Sequence, residues 1–383
     1  MPKPTKPHPP RVTSAAVLLV VLTLSALSVL SGCRATTTEP ERGESISGTL
    51  YQLQNGRFTP LQKEEQPSRT PLQPWTVQER VSDLITLRKQ VYLGVNGHGI
   101  AELITDADGE AGFDYFYDPL IFRYRTLTTL IPERDPAGDS LLCHLYFNRL
   151  LNVISEAELK LQGISLLRLI PSSGIYSFLT PPYQEEHPEW EAVGFVPVTP
   201  QEFYIQWKYS DRNRTLFSYS RFDLADPEEE EVEALAYRKS YGFEDARKTG
   251  ALGVVLGEAR RLLDAPGYST AYQLHIRSDD QPLVRRYEYH PADFISAEEI
   301  RLYTLFGFHR GEGYLLLLPD GLLLQGSSGS RQIRRFQLPS LPEGCFYTDL
   351  LLHGSYLLAG WEQTAFTDVG AAGIFFTANA LIP

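Results

Sequence analysis

The sequence predicts a mainly β fold, and two observations favour a β-propeller of about seven blades with a helical insert. Short runs rich in Tyr, Phe, Leu, Val and Ile recur along the chain between tight turns, which is typical of paired strands. Beyond residue 45, and apart from one helical stretch, roughly 300 residues remain, enough for about seven blades of ~40–45 residues each. A β-sandwich or another multi-hairpin β fold is the alternative.

Hairpins account for most of the strands that can be placed on the sequence. Each joins two apolar runs through a turn in which Asn, Asp or Gly tolerates a positive φ. The predicted pairs are Gln90–Val95 with Gly99–Ile104, Glu202–Tyr209 with Thr215–Phe222, Ala271–Ile276 with Leu283–Tyr287, and Tyr314–Leu318 with Leu322–Gln325.

The two ends of the body are predicted to share one sheet. Residues 46–58 contain a short strand-like run, and the proline-marked loop 60–74 separates it from the next hairpin. Residues 373–378 form a terminal strand with the same lack of a local partner. Because an unpaired edge strand invites association with other chains, we expect residues 46–58 to pair with the strands of residues 345–378.

Residues 228–263 interrupt the strand pattern. Asp226 and Pro227 precede four consecutive Glu residues, which is typical of a helix start with proline and acids in the first turn. Apolar residues then repeat at helical spacing through residues 252–263. The pattern predicts one or two helices packed on the outside or over one end of the sheets.

The N-terminus predicts export. Lys3, Lys6 and Arg11 precede an apolar to weakly polar run of 16 residues from Ala15 to Leu30. This run is shorter than the ~20 residues of a membrane-spanning helix, which favours a cleaved signal peptide. We therefore assign residues 1–32 to a signal peptide, residues 33–45 to a polar tether and residues 46–383 to the β-rich body.

The sequence Leu30-Ser31-Gly32-Cys33 resembles the lipobox of bacterial lipoproteins. The resemblance implies cleavage between Gly32 and Cys33 and attachment of diacylglycerol and palmitate-type acyl chains at Cys33. It implies an extracytoplasmic protein anchored to a membrane of the bacterial envelope. Arg34 follows the cysteine in place of the aspartate that retains such proteins at the inner membrane, which implies the outer membrane where the cell has one.

The C-terminal runs 338–349, 357–362 and 369–376 are similar to the closing blade of envelope lipoproteins with propeller-like repeats. This second resemblance supports the fold and implies no activity.

Composition excludes several classes of partner. The chain has 47 Asp and Glu against 35 Lys and Arg, a formal net charge of −12, and its first 32 residues contain no acid. Nucleic acid is therefore not an expected partner, because its binding requires many Lys and Arg residues. We expect the membrane, through the lipid anchor, and a protein or glycan partner.

No metal or cofactor is expected from the motifs. The eight histidines show no spacing typical of metal ligands, and His98 is interpreted as a turn residue. Asp106, Asp108 and Glu110 are interpreted as an acidic turn rather than a calcium loop, because the acid that should end such a loop is missing. Cys143 and Cys345 leave two alternatives open, a disulfide or separate thiols.

The predicted function is a binding or scaffolding protein with an unassigned ligand. The alternative is a propeller enzyme that acts on glycans or cell-envelope polymers; no catalytic residue can be assigned, because an acid–base pair meets only in space. Two or more carboxylates without salt bridges in the central funnel, or a histidine with such a carboxylate, would favour the enzyme. A bare or apolar funnel would favour the binding protein. Four clustered aromatics either stack on sugars or form core: Tyr183, Trp190, Trp207 and Tyr209.

Overall fold

The computed structural model describes residues 43–62, 70–71, 79–105, 110–116, 119–122, 125–133, 139–147, 166–199, 201–226, 229–240, 251–263, 271–278, 285–289, 302–327, 329–363 and 369–378. The predicted signal peptide, Gly32, Cys33 and most of the tether lie outside the described residues. Within these ranges, no helix has the length and apolar character needed to cross a bilayer.

Strands dominate the described residues. In chain order they are β1 (Glu44–Ser45), β2 (Thr49–Gln54), β3 (Arg57–Pro60), β4 (Thr70–Pro71), β5 (Val81–Leu87), β6 (Gln90–Val95), β7 (Gly99–Thr105), β8 (Ala111–Phe116), β9 (Arg125–Glu133), β10 (Ser140–Phe147), β11 (Leu166–Ile170), β12 (Ile175–Leu179), β13 (Glu191–Pro197) and β14 (Glu202–Ser210). They continue with β15 (Thr215–Asp223), β16 (Glu229–Glu231), β17 (Ala271–Ser278), β18 (Arg285–Tyr289), β19 (Leu302–Arg310), β20 (Gly313–Leu317), β21 (Leu322–Ser327), β22 (Arg334–Gln337), β23 (Cys345–Tyr347), β24 (Leu351–His353), β25 (Tyr356–Gln363), β26 (Val369–Gly370) and β27 (Ala372–Thr377).

These strands form sheets that follow one another along the chain. Sheets I, II and III are four-stranded antiparallel meanders of β5–β8, β9–β12 and β13–β16. Sheet IV has the order β1-β22-β21-β20-β19-β17-β18, and sheet V has the order β23-β25-β27-β2-β3 with β24 paired to β25. A two-stranded ribbon, β4 with β26, completes the described strands. The mainly β prediction is confirmed, and the described residues form five sheets of four or more strands where the sequence suggested about seven blades.

The hairpin predictions are confirmed. β6 pairs with β7, β14 with β15, β17 with β18 and β20 with β21, all antiparallel. The turn between β6 and β7 contains Gly97 with φ of 76°, the left-handed conformation that the Asn-Gly pair indicated.

The prediction that the two ends share a sheet is also confirmed. β2 pairs antiparallel with β27, so that Tyr51 lies opposite Ile374 and Leu53 opposite Ala372. β27 lies between β2 and β25, and Gly373 faces a very tight space. A Cβ atom on Gly373 would lie 1.9 Å from the carbonyl oxygen of Tyr51 and 2.6 Å from the Trp361 ring.

The insert prediction is right for its helices and wrong for its beginning. The described helices are α1 (Pro119–Phe122), α2 (Pro182–Glu186), α3 (Ala234–Ser240) and α4 (Ala251–Leu263). α3 and α4 lie within the predicted 228–263 segment, and α4 packs on sheet IV through an apolar face that includes Val255. Glu229–Glu231, however, is strand β16, because Glu230 lies opposite Arg221 and Glu229 accepts hydrogen bonds from the Ser220 hydroxyl and the Tyr183 N–H.

Apolar clusters join most neighbouring sheets. One cluster joins sheets I and II, a second joins sheets II and III, and the largest joins sheets I, IV and V. Among the described residues, no such cluster is shared by sheets III and IV. The segment that connects these two sheets in sequence carries α3 and α4.

The two cysteines of the body lie in different sheets. Cys143 is buried in β10 of sheet II, and Cys345 begins β23 of sheet V. No disulfide is present in the described part of the chain, so the thiol alternative holds.

Candidate functional site

One cavity of about 630 Å³ receives residues from all five sheets. Sheets I, II and III contribute from their first strands, β5, β9 and β13, and sheets II and III also from β10 and β14. Sheet IV contributes from β17 and β19, and sheet V from β23, β25 and the segment after β23. The volume falls within the ~300–1,000 Å³ that is usual for small-molecule sites.

Backbone irregularities in three sheets coincide with this cavity. The ladders β5–β6, β9–β10 and β13–β14 each contain a register shift, which leaves Ser82, Thr128 and Val193 as the extra residues. All three residues line the cavity. Such β-bulges re-aim neighbouring side chains and are frequent next to binding and active sites.

A buried ionic network lies at one wall of the cavity. Arg277 of β17 donates from Nη2 to Asp83 of β5 and, at 3.0 Å, to Oδ2 of Asp349, which follows β23. Asp83 also accepts the N–H of Leu84 at 3.0 Å and the N–H of Leu130 in β9 at 2.6 Å. Asp349 accepts the N–H of Leu350 at 2.7 Å. The network therefore ties together sheets I, II, IV and V.

Burial shifts the titration of both acids of this network. Burial raises the pKa of Asp83, against the attraction of Arg277 and the hydrogen bonds from Leu130 and Leu84. Burial raises the pKa of Asp349 to about 7; Arg277 opposes this shift, and the charge of Asp83 adds to it. Two carboxylates share one guanidinium, so Asp349 is partly protonated near neutral pH.

A histidine, His144, lines the same cavity. His144 of β10 is 2% exposed, and its ring stacks on Phe195 of β13 with centroids 4.9 Å apart and planes at 7°. Its Nδ1 lies 2.5 Å from the hydroxyl oxygen of Thr128, the residue at the bulge of β9. Burial lowers the pKa of His144 to about 4, so the ring is neutral at pH 7.

Arg80 and Glu362 add a second pair of opposite charges. Burial raises the pKa of Glu362, and the nearby charge of Arg80 lowers it in part. Among the described residues, Glu362 forms no salt bridge within 4 Å. The cavity lining thus combines two guanidinium groups with three carboxyl groups and two imidazoles, those of His144 and His275.

Three nitrogen atoms at the cavity are buried and lack a hydrogen-bond partner among the described residues. They are Nε of Arg80, which precedes β5, Nε2 of His144 in sheet II and Nη1 of Arg277 in sheet IV. Each of these atoms is inaccessible to solvent and therefore lies behind the cavity surface, where an unpaired polar group costs ~1–3 kcal/mol.

The residues singled out in the sequence lie elsewhere. Cys33, Gly32, Asp106 and Asp108 are outside the described residues. His98 lies in the β6–β7 turn, where its Nε2 contacts the carboxylate of Glu79, so it contributes to a structural contact away from the cavity lining.

The aromatic cluster is mostly core. Trp207 is fully buried and Tyr183 is 8% exposed, and their rings stack with centroids 5.1 Å apart. Trp190 and Tyr209 are half-buried at the edge of this cluster, with ring centroids 5.7 Å apart. The core interpretation is therefore correct for Tyr183 and Trp207, and none of the four lines the cavity.

Sequence reasoning missed the cavity residues, although one signal was present. Asp83 is an acid within the apolar run Val81–Leu87, and a buried strand rarely carries an unpaired carboxylate. Its partner Arg277 lies 194 residues later, and no local pattern links the two. Over the described ranges, no group of three or more His, Cys, Asp or Glu side chains is arranged to hold a metal ion.

The chain belongs to a family of unknown function, DUF8086, whose model matches residues 41–379. Comparison with curated proteins returns no match.

Solved structures with a similar course of the chain are distant. A prolyl endopeptidase is 11% identical with a TM-score of 0.31; the match covers 76% of this chain, and this chain spans only 40% of that one. Regucalcin, a calcium-binding protein of Agrobacterium tumefaciens, is 10% identical over 78% of this chain and 94% of its own, with a TM-score of 0.34. The GH43_1 enzyme of Xanthomonas citri is 8% identical over 80% and 89%, with a TM-score of 0.32. Similarity this low assigns neither an activity nor a ligand to this chain.

Proposed function

We propose that this protein is a lipid-anchored binding protein of the bacterial envelope, and that its body binds a small polar ligand in the cavity between the five sheets. The observation that carries the proposal is the convergence of five sheets on one cavity that is lined largely by charged and polar residues. Concave polar sites of this size are the usual form of ligand sites.

We further propose that sheets I to V are the five blades of a β-propeller. Three features support this arrangement: sheets I to III are successive four-stranded meanders, β2 completes a sheet with C-terminal strands, and the first strands of sheets I to III line the cavity. In a propeller, the innermost strand of every blade faces a central channel.

Binding is favoured over hydrolysis by the state of the carboxylates. All four carboxylate oxygens of Asp83 and Asp349 accept hydrogen bonds from Arg277 or backbone N–H groups. Glu362 is then the one cavity carboxylate that the described residues leave without a salt bridge. A glycosidase of the usual kind requires two carboxylates that can act on the substrate.

A ligand screen tests the binding proposal. Detergent-solubilised full-length protein is heated with sugars, amino acids, dipeptides, nucleosides and dicarboxylates, and the unfolding temperature is recorded. We expect at least one compound to raise it, and we expect Arg80→Met to remove the shift. Arg212→Met is the matched control, because Arg212 is exposed in the β14–β15 turn. A shift that survives Arg80→Met, or that Arg212→Met removes equally, would contradict the cavity as the site.

The lipid anchor has its own test. Its motivation is the sequence Leu30-Ser31-Gly32-Cys33. In cells fed labelled palmitate, the wild-type chain should incorporate label and fractionate with membranes, and Cys33→Ala should do neither or remain as an uncleaved precursor. Equal labelling of both chains would reject the anchor.

The enzyme alternative is supported by one observation, which meets the criterion of a histidine and a carboxylate without a salt bridge. His144 and Glu362 line the same cavity without salt bridges among the described residues, and burial raises the pKa of Glu362. A raised carboxyl pKa suits a general acid. Release of nitrophenol from nitrophenyl glycosides, or of reducing sugar from envelope polysaccharides, that Glu362→Gln abolishes would support hydrolysis over simple binding.

A further inference from the structure

We infer that the ligand of the cavity is an uncharged saccharide of one or two rings, held by its hydroxyl groups. The inference rests on the proposed binding function and adds the chemical class of the ligand.

The balance of charge disfavours ions of either sign. Arg80 and Arg277 face Asp83, Asp349 and Glu362, and His144 is neutral at pH 7. An anionic ligand would meet these carboxyl groups, and a cationic ligand would meet the two guanidinium groups. Because Coulomb interactions strengthen in a buried site, both would be repelled by part of the wall. A neutral ligand avoids this cost.

The polar residues of the lining favour a ligand with many hydrogen-bonding atoms. Arg80 and Arg277 carry guanidinium groups, which only donate, whereas Glu362 carries a carboxyl group and Thr348 a hydroxyl group that donates and accepts. The hydroxyl groups of a ligand suit such a mixture, since each has a donor and two acceptor lone pairs.

Half-buried aromatic rings supply the apolar contact that a sugar ring needs. Phe195, Phe306 and Phe346 all line the cavity, and each is partly exposed. Phe195 already stacks on both His144 and Phe203, with centroids 4.9 and 4.7 Å away, so the contact with a sugar falls mainly to Phe306 and Phe346. A pyranose has a face of C–H groups and a rim of hydroxyl groups. The aromatic rings of the cavity suit the face, and its polar residues suit the rim.

The bulges explain why these polar groups converge. Ser82, Thr128 and Val193 are the extra residues of three different strands, and each precedes or contacts a polar or aromatic residue of the wall. Ser82 precedes Asp83, Thr128 bonds to His144, and Val193 lies two residues before Phe195. Bulges interrupt ladder pairing, so a cavity that gathers three of them is shaped for a ligand rather than for strand packing.

A matched series of sugars tests the inference by isothermal titration calorimetry on the detergent-solubilised full chain. The probes are glucose, glucuronate and glucosamine, which differ in a single charged group, with cellobiose, maltose and diacetylchitobiose as neutral disaccharides. We expect at least one neutral sugar to bind, and its acidic and basic counterparts to bind at least tenfold more weakly. Arg80→Met and Thr348→Val should each weaken binding about tenfold. Arg212→Met should leave it unchanged.

The outcomes separate this inference from the proposed function. Glucuronate or glucosamine binding as tightly as the neutral sugars would overturn the uncharged class. If no sugar binds, but another compound of the wider screen binds in a manner that depends on Arg80, the saccharide inference is wrong and the ligand site stands. If no compound of any class binds to the folded wild-type protein, both fail. Unfolding temperatures of the two cavity variants show whether a lost signal reflects lost folding.

Discussion

In sheet V, apolar side chains join the N-terminal strand β2 to the C-terminal strand β27, whereas at the cavity charged side chains join four sheets. Trp361, Ile374 and Phe375 of sheet V are fully buried, and their neighbours are apolar. Asp83, Arg277 and Asp349 are nearly as buried, but they bind one another and the backbone. Both regions bring together residues that are distant in sequence, but they do so with opposite chemistry.

The contrast separates stability from specificity. Apolar packing in sheet V gains free energy in proportion to the buried area and has no dependence on pH. A buried ion network contributes little net stability compared with apolar residues of the same volume, yet removal of one partner is very costly. Such a network at the wall of a cavity is therefore better explained by the site that it shapes than by the stability of the fold.

The largest effect is expected from removal of the cation of the network. Arg277→Met leaves the carboxyl groups of Asp83 and Asp349 buried without their guanidinium. We expect a loss of ~3–5 kcal/mol of unfolding free energy at pH 7.5, measured by urea denaturation.

A double-mutant comparison sharpens that prediction. In an Asp83→Asn/Asp349→Asn background, no buried carboxylate is left unpaired, and Arg277→Met should cost much less. An equal loss in both backgrounds would mean that Arg277 acts through packing alone.

A smaller loss is expected in sheet V. Gly373→Ala places a methyl group against the Tyr51 carbonyl and the Trp361 ring, which should disturb the pairing of β2 with β27 and cost ~1–3 kcal/mol. Gly257→Ala is the matched control in α4, because a Cβ there meets no atom within 4 Å. That control should stabilise the protein by ~0.5–1 kcal/mol. If both substitutions behave alike, the close approach at Gly373 is not the constraint.

These two regions differ in how far the sequence predicted them. The pairing of β2 with β27 was predicted because both runs were expected to lack local partners. The pairing is confirmed, but that expectation is wrong, since β2 also forms a hairpin with β3 and β27 also pairs with β25. The prediction of a helix at Glu229–Glu231 is wrong. These acids form a strand because they pair with Arg221 and Ser220 of the preceding hairpin, and the local sequence pattern does not show that pairing. The cavity could not be located at all, since its bulges and its ion pairs depend on contacts between sheets.

Opposite pH dependences should distinguish two buried groups of the cavity. The pKa of Asp349 is raised to about 7 from 3.8, so the folded state holds a proton that the unfolded state lacks between these values. Its contribution to stability is present below about pH 4 and is lost as the pH rises through about 7. The pKa of His144 is lowered to about 4 from 6.5, so its effect runs the other way, and stability falls as the pH drops from 6.5 to 4.

Two substitutions separate the pH dependence of stability that comes from Asp349 from the one that comes from His144. As the pH rises from 5 to 7.5, Asp349 should lower the unfolding free energy of the wild-type protein by ~2 kcal/mol, and His144 should raise it by ~1–2 kcal/mol. Asp349→Asn should remove the first change, and His144→Asn should remove the second. The measurement is urea denaturation of wild type and both variants at several pH values. If the variants change the pH profile in the same direction, the assigned protonation states are wrong.

The smallest effect is expected at a polar contact that supports sheet V from outside its apolar core. Glu79 accepts the N–H groups of Asn55 at 3.2 Å and Gly56 at 3.1 Å, in the turn between β2 and β3, and it also contacts His98. Burial alone would raise the pKa of Glu79, but the hydrogen bond and charge of His98 and the two N–H groups lower it below 4.5. Its contribution is therefore present above pH 4.5 and is lost as the pH falls through the lowered pKa.

Glu79→Gln should cost ~1 kcal/mol near pH 7, and the cost should vanish at low pH, where the wild-type carboxyl group is protonated as well. Asp211→Asn is the control, because Asp211 also accepts two backbone N–H groups, those of Asn213 and Arg214, but within its own exposed turn. Glu79 lies 24 residues after Asn55 and 23 residues after Gly56, so the loss of its hydrogen bonds should loosen β2 and β3 against sheet I. The loss at Asp211 affects only its own turn. Urea denaturation should show the larger change for Glu79→Gln. Equal changes would mean that the N-terminal strands are held to the body by the apolar contacts of sheet V alone.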